Sequence, residues 1–325
     1  MLKMYSFQKG SVSEGSAKDL AAASVCWANC IAPSEEELKE ISENTRIPLE
    51  ELRDALDPEQ RPKVSDLEEH SLIIVRTPWE EEDGTIATMP VSIFVSKTKN
   101  NAITLCPQQT KALKKMEDLV KANKIDLHEK GVGYFTYSLI DVILRRYFKV
   151  IDQFEERLEQ IEDEVVQKPS KTTMEDIFAI KKTLIFFHRA LTANREVITS
   201  IEKEYVTQID KKNIKRFRNL YNDVTQLIDA EATYREILTG TLEIYLSSVS
   251  NNLSQVMKTL TVVTSFMLAP TLIAGIYGMN FDISSSGFNM PELYWKYGYF
   301  FAIGLMFFSV GAMYWFFKRK KWIGA

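Results

Sequence analysis

Two uncharged stretches towards the end of the sequence restrict its fold more than any other feature. The first runs for about 23 residues, 259–281, and the second for about 21 residues, 297–317. A helix of about 20 apolar residues is long enough to cross a ~30 Å hydrocarbon core. We therefore predict two transmembrane helices, at residues 258–281 and 297–317, rather than two buried helices of a soluble core.

Charged residues around these stretches predict how they cross the membrane. The connecting loop, residues 282–296, carries Asp282, Glu292 and a single Lys296. The basic residues at the other ends, predicted to form a basic ring, are Lys258, Lys318, Arg319, Lys320 and Lys321. Because Lys and Arg are enriched on the cytoplasmic side of membrane helices, we expect a multi-pass protein of the cell (inner) membrane. Both termini, including the basic tail 318–325, should be cytoplasmic.

Residues 1–133 have the pattern of a cytoplasmic α/β domain. Ser34 and Glu37 have the spacing of a capping box, and Pro48 is placed where a helix tolerates proline, so helices should begin near Glu35 and Leu49. The β-type runs that alternate with helical segments are residues 24–31, 71–77, 91–96 and 102–105.

Helical periodicity dominates residues 134–257, with breaks expected only near Pro169 and Asp210. Between residues 211 and 277 the only proline is Pro270. One helix of about 67 residues, ~100 Å long, can therefore run into the first span, and Pro270 should kink it or be packed by its neighbours. The predicted fold class is an α+β membrane protein, with an N-terminal cytoplasmic α/β domain, long helices, and a stalk helix that continues into the first transmembrane (pore) helix.

Composition argues against several other classes of protein. A net charge of −4 and a pI near 5.7 do not suit a nucleic-acid partner. The three cysteines are too few for a disulfide framework and should be buried thiols. The sequence has no G-x-x-x-x-G-K-[ST] nucleotide loop, and His70, His128 and His188 give no catalytic constellation, His188 being interpreted as a packing residue. We expect neither an enzyme nor an organic cofactor.

Two membrane helices in one chain cannot enclose a water-filled path. A conducting form must be a ring of identical copies, so the expected partners are further copies of the chain and the lipid bilayer. The first span is the better pore wall because it contains many small and hydroxyl residues, whereas the phenylalanine-rich second span suits lipid.

The segment between the spans resembles a known family. Residues 277–281 read Tyr-Gly-Met-Asn-Phe and residues 290–293 read Met-Pro-Glu-Leu. With further matches at 245–251 and 256–261, they resemble the CorA family of magnesium and divalent-cation channels over essentially the whole chain. The resemblance implies a funnel-shaped homopentamer. It places a selectivity filter at Gly278, Met279 and Asn280, and pore-lining side chains at Thr271, Leu268, Leu260 and Met257.

The filter residues suit Mg2+, which the resemblance implies as both the transported and the regulatory ion, with cobalt and nickel as further cargoes. Mg2+ dehydrates reluctantly, so a ring of Asn280 amide oxygens can hold the hydrated ion by outer-sphere contacts and still release it. The membrane potential supplies ~2.3 kcal/mol per charge per 100 mV, so uptake can be passive. Apolar rings at Leu260 and Met257 could gate the pore by dewetting.

The resemblance also implies that intracellular Mg2+ closes the pore by bridging carboxylates between subunits. Asn219 stands where the family often has a sensing aspartate, with Asn222 and Asp223 one turn further on, so this regulatory site should be weakened or displaced. The acidic helix at about residues 147–167 is either a solvated face or part of this regulation. The loop at residues 284–289 is longer than usual, and we assign no function to it.

A ZntB-like transporter of zinc or other divalent cations, coupled to protons, is the alternative. Softer metals prefer Cys or His ligands. Neither residue type occurs in the predicted spans or in the loop between them.

Overall fold

The computed structural model describes residues 2–8, 11–15, 18–21, 25–81, 84–167, 169–280, 282 and 288–323. The chain divides into two compact units, Met1–Glu243 and Ile244–Ala325. The first unit contains a mixed β-sheet and most of the helical residues, and the second contains the apolar helices predicted to cross the membrane.

Within the described residues, the sheet of the first unit has seven strands in the order β2-β1-β3-β7-β6-β5-β4. Strands β3 and β7 run parallel, and every other neighbouring pair is antiparallel. The strands are β1 (Leu2–Gln8), β2 (Ser11–Glu14), β3 (Cys26–Ile31), β4 (Lys63–Asp66), β5 (His70–Glu80), β6 (Ile86–Ser96) and β7 (Ala102–Cys106). All four predicted β-type runs are confirmed as strands, although Ser24 lies outside the described residues.

Strands β2 and β4 form the two edges of the sheet, and the four predicted β-type runs include neither of them nor β1. Each has only four residues, reading SVSE and KVSD, with exposed positions at its ends. A short polar edge strand lacks the run of apolar residues that marks a buried strand. The three cysteines lie in β3 and β7 and are buried and free, as expected.

The predicted helix starts in the first unit are confirmed. Helix α2 (Glu35–Thr45) begins with a complete capping box, in which Ser34 accepts a bond from the Glu37 backbone and the Glu37 carboxylate accepts one from Ser34. Helix α3 (Leu49–Asp54) follows Pro48 directly. The short helix α1 (Lys18–Ala21) and α4 (Lys111–Lys121) complete this region.

Three long helices follow, and their ends agree with the predicted breaks. They are α5 (Leu127–Gln167), α6 (Lys171–Glu202) and α7 (Lys211–Tyr277). The gaps between them contain Pro169 and Asp210. Helix α5 is interrupted near its start at Gly131, whose φ of 76° favours glycine. Helix α7 spans 67 residues, and Pro270 lies within it.

The long helices α5 and α6 pack on the sheet, where a side chain of α6 makes the two backbone hydrogen bonds that a further strand would make. Strand β4 pairs with β5 only as far as Ile74, so the backbone of Arg76 lies beyond the edge strand. Asn194 of α6 bonds there, accepting from the Arg76 nitrogen and donating to the Arg76 oxygen, both at 2.9 Å. Tyr147 of α5 donates to the same oxygen at 3.1 Å and packs edge-on against Phe187 of α6. These contacts fix α5 and α6 on β5.

The second unit contains the end of α7, a short 3-10 helix at Pro291–Tyr294, and α8 (Gly298–Arg319). Helices α7 and α8 are both long and apolar enough to span a membrane, with a mean hydropathy of 1.8 in their most apolar windows. Most of these side chains are exposed in a single chain. Lipid or further copies of the chain can cover this exposed apolar surface. The observed α8 begins and ends within two residues of the predicted second span.

Candidate ion filter and pore helix

The proposed filter forms a tight turn at the end of α7. The backbone nitrogen of Gly278 donates to the Ala274 oxygen at 2.9 Å, and that of Met279 donates to the Ile276 oxygen at 3.1 Å. A Cβ on Gly278 would lie only 3.1 Å from the Ala274 oxygen. Because the carbonyl end of a helix is its negative end, this turn lies where a cation is favoured.

Met279 and Asn280 are both exposed at this turn. An exposed amide oxygen is the group that can accept hydrogen bonds from the water shell of a metal ion. Phe281, the next residue of the motif, lies outside the described residues, as do residues 283–287 of the long loop.

The residue before the filter is bonded to the loop that follows it. The Tyr277 hydroxyl donates to Oε1 of Glu292 at 2.8 Å. Glu292 belongs to the 3-10 helix Pro291–Tyr294. Met290, the residue directly before this helix, has a φ of 46°. Both motifs are recognisable in the sequence, but the contact between them is not.

The four expected pore-lining residues share one face of α7. At about 100° per residue, Met257, Leu260, Leu268 and Thr271 lie within about 80° of one another around the helix axis, and all four are exposed. Phe266, which contacts Phe317 of α8 with ring centroids 5.9 Å apart, lies roughly on the opposite face. We call the exposed face defined by the four residues the pore stripe.

An open apolar groove of about 440 Å³ lies beside the pore stripe. It is lined by Gln255, Val256, Thr259, Leu260 and Val263. Leu260 therefore belongs to both surfaces, and a neighbouring copy of α7 packed in the groove would lie next to the stripe.

The structure brings the predicted basic residues of the two spans together. Lys258 near the start of the first span donates to the backbone oxygen of Lys321, just after α8, at 3.2 Å. Lys318 lies over the Tyr314 ring and Arg319 over the Trp315 ring, with distances of 5.8 and 5.5 Å to the ring centroids. Cations next to aromatic rings are typical of the interface between lipid and water.

The expected regulatory residues lie on α7 in the first unit. Asn219 and Asn222 are exposed, whereas Asp223 is half-buried. Burial and the nearby Asp141 of α5 raise the pKa of Asp223, and Arg145 opposes them. Arg145 also forms an ion pair with Asp141 at 2.8 Å. Sequence reasoning missed Asp141, because only the packing of α5 against α7 brings it close to Asp223.

Within the described part of a single chain, no group of three or more His, Cys, Asp or Glu side chains is arranged to hold a metal ion. The acidic face of α5 is largely exposed, but Arg157 binds both Glu164 and Asp176 and so neutralises part of it. His188, interpreted as a packing residue, is hydrogen-bonded to the buried Glu231.

These features define a class of protein: a membrane protein in which a large α/β and helical part precedes two apolar helices joined at a Gly-Met-Asn turn. A family model described as "CorA-like Mg2+ transporter protein" matches residues 22–319. The chain belongs to this family.

Similar proteins agree over nearly the full length. A cobalt/magnesium transport protein CorA of Methanocaldococcus jannaschii is 34% identical over 299 residues, which are 91% of this chain and 91% of the relative. The complete structure of the CorA magnesium transporter of the same organism matches with a TM-score of 0.85 at 30% identity, covering 99% of both chains. This agreement confirms the predicted soluble α/β domain, long helices and two apolar helices as the fold of a CorA protein.

The alternative family is also represented among solved structures. The cytoplasmic domain of ZntB from Vibrio parahaemolyticus matches with a TM-score of 0.61 at 14% identity, covering 77% of this chain and 98% of that domain. At this identity the match shows a shared fold and nothing about the transported ion.

Proposed function

We propose that the chain forms a homopentameric channel that carries Mg2+ passively across the cell membrane into the cytoplasm. One observation carries the proposal: a helix with four exposed residues along one face ends directly at the Gly-Met-Asn turn. The names of the relatives, cobalt/magnesium transport protein and magnesium transporter, support Mg2+ as the cargo and Co2+ as a second cargo. Both termini face the cytoplasm in this proposal.

The filter binds the ion without removing its water. Five Asn280 side chains surround the axis, and their amide oxygens accept hydrogen bonds from the hydration shell. A neutral amide ring binds a divalent cation more weakly than a carboxylate ring, which allows the ion to leave again. The helix ends at Tyr277 add negative potential at the same place.

The pore stripe faces the shared axis, and the groove beside it receives α7 of a neighbouring copy. This arrangement turns α8, in contact with α7 through Phe266 and Phe317, away from the axis and towards lipid. Leu260 and Met257 then form apolar rings that exclude water from the closed pore.

The membrane potential drives uptake. A divalent ion that enters a negative interior gains ~4.6 kcal/mol per 100 mV, enough for a roughly thousandfold gradient. In the described residues the filter offers an amide and backbone oxygens rather than an ionisable group, so the proposal requires no proton coupling.

Cytosolic Mg2+ closes the channel at a site displaced from Asn219 towards Asp223. Two acidic residues, Asp223 and Asp141, lie close together there, and burial with mutual repulsion raises the pKa of Asp223. A divalent cation relieves that repulsion. Because no group of three such ligands occurs among the described residues of one chain, a neighbouring copy completes the site, and ion binding holds adjacent copies together.

Flux into proteoliposomes tests the proposal. We expect Mg2+ uptake under an inside-negative potential without a pH gradient, and its loss in Asn280→Ala but not in the control Asn252→Ala, an exposed asparagine of the same helix. Uptake that strictly requires a proton gradient, with Zn2+ preferred over Mg2+, would establish the ZntB-like alternative instead.

The regulatory part has its own test. Mg2+ should protect the cytoplasmic part from proteolysis in the wild type, and Asp223→Asn should raise the Mg2+ concentration needed. The same change at Asp229, an exposed aspartate of the same helix, serves as the control. If Mg2+ gives no protection at any concentration, the feedback is absent.

A further inference from the structure

The bond between Tyr277 and Glu292 joins two segments that are 15 residues apart in sequence. Tyr277 is the last residue of α7 and directly precedes Gly278 of the filter. Glu292 is the second residue of the 3-10 helix in the loop that follows. The bond therefore connects the start of the filter turn to the far side of the loop.

Glu292 is itself held in place from the side of α8. The backbone nitrogen of Trp295 donates to the backbone oxygen of Glu292 at 3.1 Å. A Cβ on Gly298, the first residue of α8, would lie 2.2 Å from that same oxygen, so the close approach requires glycine. The Trp295 ring packs edge-on against Phe301 in the first turn of α8. Glu292 is thus anchored to α8, and through Tyr277 it is also anchored to α7.

We propose that Glu292 is a positioning residue of the filter, which acts through its hydrogen bond to Tyr277 and not chiefly through its charge. The inference rests on the proposed function of Gly278, Met279 and Asn280 as the filter. The carboxylate fixes the orientation of Tyr277, and Tyr277 fixes the turn that begins at the next residue. Asn280, three residues after Tyr277, is then held in one position, in which its amide oxygen can contact the hydration shell of the ion.

The chemistry of the pair favours this role. A hydroxyl that donates to an ionised carboxylate makes a stronger bond than one between two neutral groups. The pKa of Glu292 lies below its ordinary value because its own backbone N–H and the Tyr277 hydroxyl both stabilise the anion. The carboxylate is therefore ionised at neutral pH and available as an acceptor.

Glu292 has an alternative, purely electrostatic role to be tested. As one of the two acidic residues of unit Ile244–Ala325, with Asp282, it could simply raise the local concentration of cations at the pore entrance. The two roles differ in what they require of Tyr277: attraction of cations needs the charge of Glu292 but not the hydroxyl of Tyr277.

A double-mutant cycle in the full-length channel separates them, with Mg2+ flux into proteoliposomes as the assay. The variants are Tyr277→Phe, Glu292→Ala, Glu292→Gln and the double variant Tyr277→Phe/Glu292→Ala. Tyr299→Phe, which removes an exposed hydroxyl from the start of α8, is the matched control. The measured quantity is the Mg2+ concentration that gives half-maximal flux.

We expect Tyr277→Phe and Glu292→Ala each to raise that concentration about threefold to tenfold, the range for losing one hydrogen bond. In the double variant that concentration should be no higher than in the more impaired of the two single variants. Glu292→Gln, whose amide oxygen can still accept the bond, should stay close to the wild type. The inference is overturned if Tyr277→Phe behaves as the wild type, if the effects of the two single variants multiply, or if Glu292→Gln is as impaired as Glu292→Ala.

Asn280→Ala in the same assay separates this inference from the proposed function. Absence of Mg2+ flux in the wild type, or full flux in Asn280→Ala, contradicts the proposed filter and overturns the inference with it. Flux that needs Asn280 but not the Tyr277 hydroxyl contradicts the positioning role alone.

Discussion

His188 on α6 and Glu231 on α7 form a hydrogen bond of 2.7 Å between the imidazole Nδ1 and the carboxylate Oε2. The Glu231 side chain is fully buried, and its other oxygen accepts no hydrogen bond within the described residues. The nearest cation on its own helix, Arg235, has its Nε 3.8 Å from that oxygen. Since a buried carboxylate is costly without a donor, His188 offsets much of the cost and joins the two helices.

Removing this donor should destabilise the protein. In His188→Ala the buried Glu231 carboxylate loses its hydrogen bond, and we expect the free energy of unfolding to fall by ~1–3 kcal/mol. Denaturant unfolding in detergent, followed by the helical signal, measures the change. His128→Ala, at an exposed histidine, is the control, and an equal effect in both variants would mean that the bond contributes nothing specific.

Acid should weaken the contact between β1 and α4. Burial raises the pKa of Glu117, but hydrogen bonds from Lys121, Lys3 and Tyr5 outweigh it and bring the pKa to about 2. A lowered pKa in the folded state means stability that is present above the ordinary value of 4.5 and is lost as the pH falls towards 2.

Comparison of the wild type with Glu117→Gln tests this pH dependence. At pH 7 the variant should be less stable by ~3 kcal/mol, the equivalent of the pKa difference. The difference in melting temperature between the wild type and the variant should decrease steadily as the pH falls from 4.5 to 2. A difference that stays constant over this range would show that the Glu117 charge does not stabilise the contact.

The sequence predicted the features that depend on neighbours in the chain. The capping box at Ser34 and Glu37 and the unbroken helix from Lys211 to Tyr277 follow from local spacing and from the position of prolines. The edge strands β2 and β4 were missed because four residues with a single apolar side chain carry no periodic signal.

Contacts between distant segments were the part that local patterns could not predict. Asn194 meets Arg76 across 118 residues. Asp141 raises the pKa of Asp223 electrostatically, and it can do so only because α5 packs beside α7, as Tyr137 and Phe217 show. At the filter, the family motif identified Gly278, Met279 and Asn280, but the contact between Tyr277 and Glu292 depends on how the loop folds back. Assignments of function to the filter and stripe residues stay predictions.

The filter turn should not tolerate a side chain at Gly278. In Gly278→Ala the new Cβ meets the Ala274 oxygen at 3.1 Å, so the backbone must shift. Mg2+ flux should fall about tenfold, the effect of ~1.4 kcal/mol of strain. Gly304→Ala in α8, where a Cβ meets nothing within 4 Å, should conduct normally. Comparable losses in both variants would contradict a special requirement for glycine in the turn.

The apolar gate should leak when it becomes polar. Leu260→Ser and Met257→Ser place hydroxyls in the narrow part of the pore stripe, which favours water in the closed state. We expect Mg2+ leak at high cytosolic Mg2+ to rise in both variants. Leu305→Ser, at an exposed position of α8, is the control. Unchanged leak in Leu260→Ser and Met257→Ser would show that dewetting at these rings does not close the channel.

The pore stripe of α7 is proposed to line a shared, water-filled axis, and modification of single cysteines tests this arrangement most directly. Leu268→Cys lies on the stripe, and Phe308→Cys lies on an exposed position of α8 that the account assigns to lipid. The three native thiols are buried, and burial raises the pKa of each, so they should react slowly. A charged, membrane-impermeant thiol reagent should block Mg2+ flux in open channels of Leu268→Cys and leave Phe308→Cys unaffected. Full flux after treatment of Leu268→Cys, or block in Phe308→Cys alone, would contradict this arrangement.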